Sequence, residues 1–134
     1  MTSKTWTEQR IEKVVHGDLA AFAELAQEPA ALLDQSGEGV RTYMVSARAV
    51  GDVLSALQRG TGAPELVQRW ASFIRRGYLA GAHRGPIRPL WIDYEPAAED
   101  DIAHVLSRLD EIGDALDGEV SAQEIDELLA LLAA

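Results

Sequence analysis

The sequence predicts a mainly α protein, a single helical domain of about five to six helices over residues 1–134. Three observations carry that expectation. Apolar residues recur at spacings of three and four in stretch after stretch. Glycine, proline and short polar residues fall where each stretch starts or stops. Only two short stretches, residues 40–45 and 90–94, have strand character, so any sheet is a two-stranded accessory.

The elements follow in order. Thr5 with Glu8 has capping-box spacing, Ile11, Val14 and Val15 share a face, and Gly17 is the stop. Asp18 reads as the N-cap of a second helix carrying Leu19, Phe22 and Leu25. Pro29 restarts the chain with Leu32 and Leu33 before the turn-rich run Gln35 to Gly39. The strand candidate VRTYMVS follows and leads through Ser46, a cap, into a helix with Val50, Val53, Leu54 and Leu57 inward and Gly60 at its end. Pro64 and Glu65 open the next helix. Leu66, Val67, Trp70, Phe73 and Ile74 face inward there, Gln68, Arg69, Ser72, Arg75 and Arg76 face outward, and Gly77 is the C-cap.

Gly81, Gly85, Pro86 and Pro89 make residues 78–89 irregular, and LWIDY at 90–94 is the second strand candidate, a partner for VRTYMVS. From Pro96 a helical pattern runs through Ile102, Val105, Leu106, Leu109, Ile112 and Leu116, and a last helix buries Ile125, Leu128, Leu129 and Leu132.

A chain of 134 residues suffices for one core without metal or disulfide support. Cysteine is absent, which excludes thiol chemistry and Cys-type zinc sites. No apolar run reaches the length of a signal sequence or a membrane span, so a cytoplasmic protein with no membrane partner is expected. Charge is distributed very unevenly. Residues 66–92 carry 5 Arg and no acid, whereas residues 93–134 carry 13 acids against 1 Arg. The two segments can neutralise each other only in part, and a net acidic surface remains.

Asp117, Gly118, Val120, Ser121 and Glu124 fall where the second half of a calcium loop would place its carboxylate, turn glycine, apolar residue and final Glu. The first half is missing, because that register puts Gly113 and Ala115 at the two early ligand positions. The same letters form a helix joint, with Gly118 closing one helix and Ser121 and Glu124 opening the next as a capping box. Calcium is therefore not an expected partner. His16, His83 and His104 lack the spacing that would set two metal ligands on one helix face. No nucleophile elbow, phosphate loop or dinucleotide fingerprint occurs, so neither a cofactor nor an enzymatic activity is expected.

Two tracts remain. Arg75, Arg76, Arg84 and Arg88 with Tyr78 and Trp91 make a basic, aromatic stretch, but the acidic segment that follows repels phosphates and argues against nucleic acid. Asp93, Tyr94, Glu95, Glu99, Asp100 and Asp101 combine an aromatic anchor with carboxylates between a strand candidate and a helix, which suits a surface for a basic protein partner. The competing account makes the acids an ordinary helix N-terminus and turns Tyr94 to the core.

At GTGAPELVQRWASFI, through Gly60, Glu65, Val67, Gln68, Trp70 and Ala71, the chain resembles a group of small acidic bacterial proteins, mostly uncharacterised. The later tracts IDYEP, LDEIGD and LDGEV extend the resemblance over residues 45–134. These proteins are similar in style to immunity proteins that neutralise bacterial toxins. The resemblance implies a helical domain that binds a protein, such as a basic toxin, with Trp70 and Gln68 serving packing. A small-molecule or enzymatic domain and a homo-oligomeric structural protein are the alternative classes.

Overall fold

A computed structural model describes residues 6–27, 42–76, 91–112 and 120–133. Among them the order is α1 (Trp6–Val15), α2 (Leu19–Gln27), β1 (Thr42–Val45), α3 (Ala47–Arg59), α4 (Pro64–Arg76), β2 (Trp91–Tyr94), a 3-10 turn (Pro96–Ala98), α5 (Glu99–Asp110) and α6 (Ala122–Ala133). The mainly α class is borne out, and the two strand candidates form a small sheet. The Pro29 segment, residues 40–41, the Gly77 cap, residues 78–90 and Leu116 to Gly118 lie outside the described residues.

Local chemistry explains where the helices begin and end. Gly17 follows α1 with φ +93, a conformation that L side chains rarely adopt. Asp18 then caps α2, its Oδ1 accepting the Ala21 N–H at 3.0 Å. Ser46 caps α3 in the same way, Oγ accepting from Ala49 N–H at 3.0 Å, and Gly60 closes that helix in the left-handed region.

The strands pair in parallel, with Thr42 opposite Trp91 and Val45 opposite Tyr94. A parallel pair needs a long crossover, and α3 with α4 supplies it.

One core joins these elements. Ile11, Val14 and Val15 of α1, Phe22 of α2, Tyr43 and Val45 of β1, Val50, Val53 and Leu54 of α3, and Ile102, Val105, Leu106 and Leu109 of α5 are all buried. At its centre Trp70 is fully buried, and its indole Nε1 donates to the Val14 carbonyl at 2.8 Å. That bond gives the buried N–H a partner and ties α4 to α1. Phe22 and Phe73 meet with ring centroids 5.8 Å apart, joining α2 to α4. On the other side α6 lies along α3, where Gly51 leaves room beside the Leu129 methyl.

Two details differ from the sequence reading. Ser72, expected on the outer face of α4, is buried at 6 % exposure. Both α2 and α5 pack on α4, so its buried arc widens beyond a single stripe to take in Ala71 and Ser72. The helix expected to run on to Leu116 ends as α5 at Asp110, with Glu111 and Ile112 in a turn.

Candidate functional site

The acidic tract from Asp93 to Asp101 covers β2, the 3-10 turn and the first turn of α5. Side chains alternate across a strand, and the burial pattern shows which face is which. Tyr43 and Val45 are buried while Met44 between them is 49 % exposed. On β2, Ile92 and Tyr94 are half-buried and Asp93 is exposed. Met44 and Asp93 are register partners. Partners in a parallel ladder project to the same side, so a large apolar side chain and a carboxylate share the outward face of the sheet.

The six tract residues differ in their surroundings. Tyr94 packs partly against the core, and burial pushes its phenol above its ordinary 10.0, opposed by the nearby Arg75 guanidinium. Its body is therefore half core and half surface. Glu95 is half-buried, and its Oε1 accepts the Ala47 N–H at 3.0 Å, at the first turn of α3. Its own N–H donates to the Val45 carbonyl at 2.9 Å. Pro96 starts the 3-10 turn, and Glu99, Asp100 and Asp101 then make the first turn of α5. That position places three carboxylates at the positive end of the helix dipole, with no side-chain cap at Ala98. Glu99 and Asp100 are exposed, and Asp101 is half-buried. The outward carboxylates of the tract are thus Asp93, Glu99 and Asp100.

Asp110 and Glu124, further along the chain, each meet an arginine. Asp110, at the end of α5, receives Arg75 Nη1 at 2.5 Å and Gln68 Nε2 at 2.9 Å, both from α4. Gln68 also donates to the Asp110 carbonyl at 3.3 Å, so Gln68 and Trp70 of the LVQRWA run serve packing. Glu124 faces the Arg108 fork, with Nε to Oε2 at 2.6 Å and Nη2 to Oε1 at 3.1 Å. This paired geometry fixes the joint of α5 with α6.

Of the calcium-loop letters, only Val120, Ser121 and Glu124 fall within the described residues. Glu124, which a calcium loop would use as its last bidentate ligand, pairs with the Arg108 guanidinium. Ser121 Oγ does accept the Glu124 N–H at 3.1 Å, which is the backbone half of the expected capping box. The reciprocal half differs, because the carboxylate turns to Arg108 rather than back toward Ser121. Among the described residues no group of three or more His, Asp or Glu side chains could hold a metal ion. No described helix is long and apolar enough to cross a membrane.

Sequence reasoning missed Met44. Its one signal was its place in the alternation of TYMV, where Tyr43 and Val45 take the buried positions. Comparison with known proteins adds no relative: no protein-family model, curated protein or solved structure matches this chain.

Proposed function

We propose that the protein acts by binding a basic protein partner, as an immunity-type inhibitor that covers a basic toxin by occlusion without chemistry. One observation carries this reading: Met44, an exposed apolar side chain, stands across the ladder from Asp93, and beyond the 3-10 turn the exposed Glu99 and Asp100 open α5. An exposed apolar side chain beside one carboxylate, with two more exposed carboxylates later in the same tract, suits a cationic partner, because long-range attraction speeds encounter and apolar burial slows release. The excess of acid over base, a formal net charge of −10, adds a field of the same sign.

Within the tract the roles divide. Asp93, Glu99 and Asp100 meet the partner, while Tyr94, the ladder partner of buried Val45, packs on the core side of the sheet and anchors β2. Asp101 adds field from a half-buried position, and Glu95 supports the surface from beneath. The test is affinity capture from the native cell followed by titration of the captured protein against a neutralised variant, Asp93→Asn with Glu99→Gln and Asp100→Asn. The reading expects a basic partner whose binding weakens about tenfold or more in that variant. Equal affinity for both forms would remove this surface as the site.

A further inference from the structure

We propose that Glu95 is a positioning residue, a latch that orders the first turns of α3 and α5 together. The observation is that one residue serves three elements. Its N–H donates to the Val45 carbonyl at the end of β1, and its carboxylate accepts the Ala47 N–H at the start of α3. Its own backbone is the entry to the 3-10 turn that leads into α5. The carboxylate comes from 48 residues away in sequence, so this contact exists only when the parallel ladder is in register.

The geometry makes the coupling specific. A helix starts with N–H groups that have no partner within the helix, and α3 satisfies two of them by different routes. Ser46 Oγ takes Ala49 N–H from within the local turn, whereas Glu95 Oε1, from just beyond the end of β2, takes Ala47 N–H. Loss of the Ser46 cap would loosen α3 alone. Loss of the Glu95 carboxylate removes an acceptor from α3 and also frees the segment that feeds α5, whose N-terminus has no side-chain cap of its own. The Glu95 side chain thus adds to its own N–H bond with Val45 in holding the entry of α5 against the sheet and the start of α3, and with it the placement of Glu99 and Asp100. The bearing of this latch on partner binding rests on the function proposed above, but the latch itself does not.

Amide hydrogen exchange on the full chain tests it without any partner. In Glu95→Ala, exchange should rise about fivefold or more at Ala47, the scale of a lost cap, and also at Ala103 and His104, whose acceptors four residues back lie in the first turn of α5. Ser46→Ala should raise exchange in the first turn of α3 and leave Ala103 and His104 at wild-type rates. Glu95→Gln, which keeps an acceptor oxygen in place, should restore protection at both helices. Unchanged exchange at Ala103 and His104 in Glu95→Ala would overturn the coupling and leave Glu95 a simple cap. A rise there shared by Ser46→Ala would overturn it too, since general loosening would then explain the effect.

Discussion

The pairing of Arg108 with Glu124 gives a quantitative test of how the acidic C-terminal half is held together. The two side chains are 17 % and 31 % exposed and meet through two hydrogen bonds, at 2.6 and 3.1 Å. A fully exposed ion pair contributes about 0 to 1 kcal/mol, and a net hydrogen bond to a charged group about 1.5 to 3. This contact is partly shielded and doubly bonded but still wetted, so a coupling of about 1.5 kcal/mol is expected. At about 2.1 cal/mol/K per residue, the 134 residues give an unfolding entropy near 0.28 kcal/mol/K, so that coupling corresponds to about 5 °C in Tm.

Arg108→Met keeps the aliphatic stem and removes the fork, and Glu124→Ala removes the acceptor. Urea unfolding of the wild type, both single variants and the double variant isolates the pair energy. The cycle matters because Arg108 also lies 3.6 Å from Glu111, and each single variant includes effects on other neighbours. A coupling below about 0.3 kcal/mol would refute the reasoning, because the contact would then behave as an ordinary surface pair.

Two further outcomes follow from local geometry. Gly17→Ala should destabilise the fold by about 2 to 5 kcal/mol, combining a left-handed backbone with a new Cβ that would stand 2.7 Å from the Ala49 carbonyl oxygen; a loss under about 1 kcal/mol on urea unfolding would contradict that close approach. Tyr94 holds its proton above its ordinary 10.0 because burial disfavours the phenolate, so its contribution to stability is present below that pH and declines as pH rises through the folded value. The unfolding midpoint should therefore fall more steeply above about pH 10 in the wild type than in Tyr94→Phe, and parallel curves would contradict the burial.

Much of the fold could be read from the sequence because its signals are local. The caps Asp18 and Ser46, the stop Gly17 and the apolar faces of α3 to α6 depend on residues three or four apart, and the structure uses them as the pattern suggests. What could not be read depends on distant neighbours. Ser72 looks outward on a lone helix and is buried because two helices pack on α4. Glu124 has capping-box spacing, but a guanidinium sixteen residues earlier takes its carboxylate.

The candidate surface divides in the same manner. Its carboxylates Asp93, Glu99 and Asp100 were visible as a run of acids, and the structure leaves them exposed. The role of Glu95 was not visible, because its acceptor function requires the strand pairing to bring Ala47, the first residue of α3, beside it. Met44 was hidden for a related reason: only the ladder register sets it beside Asp93.

The proposed binding site for a basic partner comprises Met44 and Asp93 on the outward face of the sheet and Glu99 and Asp100 in the first turn of α5. The most direct measurement is the salt dependence of the captured partner's Kd, for the wild type and for the Asp93→Asn, Glu99→Gln, Asp100→Asn variant. The variant should bind more weakly and lose affinity less steeply with salt, with an unchanged circular dichroism spectrum. Identical Kd values and identical salt slopes would contradict it.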